Sequence, residues 1–478
     1  RIRRKGAGME NTNLFLISIL HLLFGGTALI VTINGIVKCN KISVFDCIKL
    51  MYAMIYGFLQ GLIYYYESLG ERNLYYYDYS GQGIFNLYIL FLFAVLIYLE
   101  LILWHKCFVR NNETIKPNEL QLDKLVYIEK YGSAEDIYHI GIIMLAFGFL
   151  CIFLWTRAYG TIQNFILNAD AIRSSRSTVH NRFAFLQHFA SIVLVSFYAL
   201  FASFLSYKPS GLRKIVWLIM LGLSAICVYI YLLCTDSRVT IAYIGIAICL
   251  LMIKNRKSNN IKRTLGIAGI LICVVLLLTM TADTVTHFVR YGEWKSGSFD
   301  LAHSLITEFR FTVSSEMMAM NQWWKGTLHI KFFDDLLNAL ISWFPESWTP
   351  FVRPESVWTY NTMNISGTIK FGQSPSDIVG TSIYEFGVIG VVLYPFIFSV
   401  LLSTVENALN KTNKTVYSDV LYAAFAVRLI NLTSHNQLSS FALGCFSIFL
   451  YYLIAKVYLG LTLRRRMRQC NFDMKGRE

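Results

Sequence analysis

The chain has 478 residues, of which 55% are hydrophobic and 15% charged, and its formal net charge is +14. A water-soluble chain of this size carries roughly 25% charged residues, so this one has too few to cover its own surface, and lipid must cover part of it. The positive charge does not call for nucleic acid. Cations sit in short segments between apolar runs, as Lys254, Arg256, Lys257, Lys262 and Arg263, or directly after the last run, as Arg464, Arg465, Arg466 and Arg468. That is the distribution that orients helices in a bilayer.

A bilayer core needs ~20 apolar residues per helix, with every backbone group satisfied inside the helix. On that rule the sequence predicts an all-α polytopic transmembrane bundle of about 11–12 spans, the clearest at 14–36, 45–66, 84–104, 138–155, 189–207, 215–233, 239–253, 265–280, 378–402, 420–430 and 441–461. Arg1 to Gly8 precede Met9 and are left out of the topology reading. The first apolar run is too long for a cleavable signal peptide and lacks a small-residue cleavage site.

The connections alternate in charge. Lys38, Lys41 and Lys49 follow the first span, whereas the next loop holds Glu67, Glu71 and Asp78 against Arg72. Lys208, Arg213 and Lys214 lie between the fifth and sixth spans, and Lys411 and Lys414 follow the ninth. Basic loops inside put the N-terminus outside and the C-terminus inside. The chain then divides into 1–280 (eight spans with an Arg-rich outer loop at 156–188), a large outer loop at 281–377, and 378–478 with the last spans and an inner tail.

The loop 281–377 holds six of the nine Trp and four of the seven Pro, so it is not a plain linker. Its stretches 301–320 and 330–343 space apolar residues as helices do. They are expected as amphipathic helices at the membrane surface, with aromatic faces among the headgroups. Between Trp343 and Pro354, three prolines fix φ and prevent helix.

Cations on the outer side oppose the usual bias, so each needs a reason. They are Arg173, Arg176, Arg182, Arg238, Arg290, Arg310, Arg353 and Arg428. A single one is explained by an ion pair or a headgroup contact. The set points to phosphate, because a guanidinium fork binds two oxygens at once. Arg238 and Arg428 are the sharper cases: Arg238 lies in Thr235-Asp236-Ser237-Arg238, a very short outer turn between two spans, and Arg428 within an apolar run, where an ionisable group usually lines a cavity. Candidate proton acceptors on the same side are Glu308, Glu385, Asp236, His287, His303 and His435; His435 follows Arg428 closely in Thr433-Ser434-His435-Asn436-Gln437. The plain alternative for His435 is a solvated loop histidine. The ten Cys show no CxxC and no Cys/His ligand spacing, so neither a disulfide framework nor a metal site is expected. No Gly-rich phosphate loop occurs, and no cofactor is expected.

The run Phe344-Pro345 … Pro350 … Arg353-Pro354, followed by Gly380 … Glu385-Phe386-Gly387-Val388-Ile389-Gly390 opening a span, resembles Wzy-type oligosaccharide repeat unit polymerases. The Ser237-Arg238 turn opening a span is similar to one in the wider O-antigen polymerase and ligase superfamily. The likeness covers the architecture of most of the chain, and its motifs are loose. The family's glycine-spaced arginine motifs do not map onto this chain.

The resemblance implies a glycosyltransferase of the bacterial inner membrane, with its site facing the periplasm. Such an enzyme moves a growing undecaprenyl-pyrophosphate-linked glycan onto a new lipid-linked repeat unit. In this chain Arg173, Arg176, Arg238, Arg290, Arg310, Arg353 and Arg428 would hold pyrophosphate, and His435 or Glu308 would take the acceptor's proton. Implied partners are the lipid-linked oligosaccharides, membrane lipids and, as a further candidate, a chain-length regulator protein. Two alternatives stay open: an O-antigen ligase, and a flippase of lipid-linked glycans that performs no chemistry.

Overall fold

The structure is a computed structural model. It describes residues 2–70, 81–110, 132–173, 179–235, 239–255, 301–344, 352–368, 374–410 and 415–475, with residues 266, 269, 287, 288, 292 and 293. Among the described residues the regular structure is helical, with no strand. The main elements are α1 (Ile2–Cys39), α2 (Val44–Ser68), α3 (Gly81–Arg110), α4 (Ala134–Thr156), α5 (Leu186–Tyr207), α6 (Gly211–Thr235), α7 (Val239–Lys254), α8 (Leu301–Trp324), α9 (Asp334–Ile341), α10 (Val357–Ser366), α11 (Ile378–Leu409), α12 (Val416–Ser434) and α13 (Leu438–Lys475).

Eight of these, α1 to α6 with α11 and α13, are long and apolar enough to cross a membrane. Each coincides with an expected span. The expected span 239–253 is present as α7, apolar but shorter. The expected span 265–280 lies outside the described residues. The outward faces carry large apolar side chains, among them Leu23, Ile30, Leu92, Leu99, Leu150, Ile226 and Val457. Water would not tolerate so continuous an apolar exterior, whereas lipid does.

The expected span 420–430 falls in α12, which differs in kind. Its residues are buried on nearly every side, and it packs against α2, α5, α7 and α13. A helix enclosed by protein need not be apolar throughout, so α12 can carry Arg428 inside the bundle. Its start is fixed by a capping box between Thr415 and Ser418. The same device, a side chain accepting from the third backbone N–H, starts α2 at Ser43 and α4 at Ser133.

α1 and α2 meet backbone to backbone. A Cβ on Gly57 would lie 2.2 Å from the Gly25 Cα, so only glycine permits this approach. α2 winds as a π-helix over Ala53–Leu59. The Tyr56 carbonyl in that stretch hydrogen-bonds the His21 ring, 2.5 Å from Nδ1.

The far end of the bundle is tied by charge. Lys49 lies 2.8 Å from Asp46 and 3.0 Å from His105 Nδ1, and Glu406 accepts the Val44 N–H at 2.7 Å. Lys254 sits over the Tyr422 ring, 3.6 Å from its centroid.

The opposite end carries α8, α9 and α10. α9 is amphipathic: Leu336, Leu337 and Leu340 are exposed, while Asp335 and Ala339 are buried, and the helix packs against α13. α8 does not lie on a surface. It inserts among α2, α3, α10 and α11, with Thr312, Val313, Ser315, Glu316, Met317 and Met320 all buried. Its last turn is locked to α11 at Gly387, whose φ of +65° only glycine adopts readily and against which the Trp323 ring is seated.

Candidate functional site

At this end, α5, α7, α12 and α13 enclose a cavity of about 170 Å³. It is comparable with the ~150 Å³ that accommodates a benzene ring, so it has room for a group about the size of one small ring. Arg428, Asn431, His435, Gln437 and Ser440 line it together with Trp358 of α10, and no carboxylate is among its lining residues.

Two residues of this lining come from one helix face. Arg428 and Asn431 are three apart and project to the same side. The helix ends at Ser434, and the His435 N–H still bonds back to the Asn431 carbonyl at 2.8 Å, so His435 follows on the same side. The ring of His435 is fixed from several directions. Its Nδ1 lies 2.9 Å from Ser434 Oγ, which is itself 2.9 Å from the Tyr243 hydroxyl of α7. The rings of Phe311 and Trp358 stand 4.7 and 6.2 Å from it, centroid to centroid.

Arg428 is half-buried, and among the described residues it makes no hydrogen bond or ion pair. Its neighbours are Tyr198 of α5 and Gly444 of α13. A guanidinium half-buried inside the bundle, with no acid beside it among the described residues, is costly. Five unsatisfied donors beside an acid-free cavity form a site complementary to an anion with paired oxygens. Trp358 adds an indole N–H that is buried and has no partner among the described residues.

The other expected residues are distributed as follows. Arg310 is half-buried on α8, next to Phe311, and does not line the cavity. Glu308 lies two residues before it on the same helix, also outside the lining. Arg353 donates to the Phe344 carbonyl and braces the stretch around Pro354, away from the cavity. Arg173 ends the short helix Ala169–Arg173. Its side chain lies outside the described residues, as do Arg176, Arg238 and Arg290. Among the described residues, then, one cation rather than a group faces this cavity. Among them also, no set of three His, Cys, Asp or Glu is placed to hold a metal ion.

Comparison with protein-family models, with curated proteins and with solved structures finds no match for this chain.

Sequence reasoning missed Trp358, Tyr198, Tyr243 and Gly444. The aromatic residues carry no signal that separates them from core, since tyrosine and tryptophan at helical spacing usually pack. Gly444 was legible in principle: it is a glycine within an apolar run, a place where backbone or a bulky group approaches closely.

Proposed function

We propose that the cavity binds the pyrophosphate of a lipid-linked glycan and that the chain is an oligosaccharide repeat unit polymerase of the bacterial inner membrane, acting on the periplasmic side. The observation that supports this best is Arg428: among the described residues its guanidinium has no ion pair, and it shares with a histidine and a tryptophan a cavity whose lining holds no carboxylate. The chemistry follows from those groups. The acceptor hydroxyl attacks the anomeric carbon of the donor sugar. The bond from that carbon to the pyrophosphate oxygen breaks, and its electron pair leaves on the lipid pyrophosphate. Arg428 stabilises that developing charge. The hydroxyl proton passes to His435, whose ring is oriented by the Ser434 tie. The Trp358 ring offers a face on which a sugar stacks.

The test is complementation of a strain lacking this chain. Wild type restores a ladder of glycan polymers, and Arg428→Gln at matched protein level leaves single repeat units. Ladders of normal length from Arg428→Gln would overturn the reading. Loss of all surface glycan, single units included, would indicate a ligase.

A further inference from the structure

Beneath the His435 segment lies a buried polar knot that the proposed reaction does not use. Gln60 Nε2 of α2 donates to Glu316 Oε1 of α8 at 2.6 Å. Asp377 caps α11: its Oδ1 accepts the Gly380 N–H at 3.1 Å and its Oδ2 the Val379 N–H at 3.2 Å. The Tyr56 hydroxyl also donates to that Oδ2, at 2.5 Å. Glu316 and Asp377 adjoin: the residues before them, Ser315 and Ser376, are joined hydroxyl to hydroxyl at 2.8 Å, which brings the two carboxyls within reach of each other. Gln60, Glu316, Tyr56 and Asp377 are each at most 1% exposed.

Counting donors assigns the proton. Two carboxyls can hydrogen-bond to each other only if one of them carries a hydrogen. Both oxygens of Asp377 already receive donors, so a proton there would face another donor. Glu316 receives Gln60 on Oε1, which leaves Oε2 to carry the hydrogen toward Asp377. Among the described residues no lysine or arginine pairs with either group, so two ionised carboxylates would stand buried and uncompensated. The titratable groups facing the pair are the phenols of Tyr52 and Tyr56 on α2 and Tyr384 on α11, which supply no charge at neutral pH. Burial pushes the Glu316 carboxyl well above the usual carboxylate range, and the neighbouring Asp377 adds to this.

The knot reaches the cavity through backbone. The Tyr56 hydroxyl that holds Asp377 also lies 3.3 Å from the Thr433 carbonyl. Ser315, beside Glu316, donates to the Ser376 hydroxyl at 2.8 Å, and the Ser376 carbonyl accepts the Asn436 N–H at 2.9 Å. Residues 433 and 436 bracket His435.

We propose that Glu316 carries one proton shared with Asp377, and that this single-charged pair is the positioning unit that holds α8 and the His435 segment in register with the cavity. The proton assignment stands on the donor count of the knot, and the positioning role rests on the cavity being the reaction site. The experiment uses the full chain in lipid nanodiscs. Infrared difference spectra of Glu316→Gln against wild type should show loss of one protonated carboxyl C=O band. Glutamine reproduces the donor and the acceptor of a protonated glutamate, so Glu316→Gln should keep the melting temperature and the polymer ladder. Asp377→Asn places an N–H against donors and should lose both. Glu316→Ala should also lose both, making Glu316→Gln the rescuing variant. The reverse pattern, with Asp377→Asn tolerated and Glu316→Gln not, overturns the assignment, and so does an unchanged carboxyl band. The infrared measurement needs no substrate, so its failure is separate from failure of the proposed reaction. A full ladder from Glu316→Ala with the band assignment intact would overturn the positioning role alone.

Discussion

Gly444 of α13 makes room for the guanidinium of Arg428 of α12. A Cβ at residue 444 would lie 2.7 Å from the Arg428 Cζ and Nη1 and 2.8 Å from its Nε. These atoms are the far end of a flexible side chain, so an added methyl would move the guanidinium and leave the helices where they are. Gly444→Ala should therefore separate fold from function. Alanine favours a helix over glycine by ~1 kcal/mol, so the melting temperature should hold or rise. A misplacement near 1 Å can cost ~10²-fold in rate, and polymer formation should fall accordingly. Normal ladders from Gly444→Ala would show that the observed placement of Arg428 does not matter.

Arg428→Lys keeps the charge and discards the fork. If Arg428 acts only as a point charge, lysine substitutes for it. If it binds two oxygens of a pyrophosphate, lysine loses the fixed geometry, and a loss of the order of 10²-fold or more is expected, as for removal of one preorganised donor. Initial rates of polymer formation in membranes, at matched protein level, distinguish the two. For His435→Ala the expected drop is ~10²–10⁴-fold, the usual contribution of a positioned general base.

The sequence made the lipid-facing architecture readable because length and apolarity are local properties. Each of the eight long apolar helices could be found from ~20 residues at a time. The short apolar run at 420–430 extends into its flanks as α12 (Val416–Ser434), which faces protein on nearly all sides, and burial by protein leaves a weaker apolar signal than burial by lipid. Arg428 stood out for the same reason, as an ion in a run that should not hold one. His435 could be linked to it because the two are close in sequence. The knot around Glu316 was invisible: Gln60, Glu316 and Asp377 come from three elements far apart in the chain, and each alone looks like an ordinary polar residue. In the loop 281–377, apolar residues at helical spacing over 301–320 and 330–343 point to surface helices. That spacing does not distinguish α9, which exposes leucines, from α8, which buries Glu316 and Met317 among the spans.

Orientation in the membrane rests on loop charge, and native cysteines offer a test of it. Cys39 and Cys107 are exposed at the far end of the bundle, away from α9 and α10. Val352, at the end that carries those helices, is 94% exposed. In intact spheroplasts an impermeant maleimide should leave Cys39 and Cys107 unlabelled and should label Val352→Cys in a background where the native cysteines are retained. Labelling of Cys39 and Cys107 before permeabilisation, with Val352→Cys silent, would invert the bundle and place the cavity on the cytoplasmic side.

Asp335 should make the fold sensitive to pH in a defined direction. It is 2% exposed, its Oδ1 accepts the Val357 N–H at 2.8 Å, and its Oδ2 has no partner among the described residues. Burial raises its pKa from 3.8 to about 6, with Asp334 adding to the shift while the Val357 N–H and Lys331 oppose it. The folded state thus holds the proton more tightly than the unfolded chain does. The associated stability is fully present below the ordinary aspartate range and is lost as pH rises through about 6. Across the whole window that amounts to ~3 kcal/mol, of which roughly half falls between about pH 5 and about pH 8. Asparagine cannot ionise, keeps an oxygen for the Val357 N–H, and removes this dependence. Melting temperatures of wild type and Asp335→Asn in nanodiscs should diverge as pH increases across that interval, with wild type falling behind. Parallel curves would mean that Asp335 is ionised throughout and that water or a counter-charge reaches its second oxygen. A wild type that gains on Asp335→Asn with rising pH would mean that the carboxylate itself is the stabilising form.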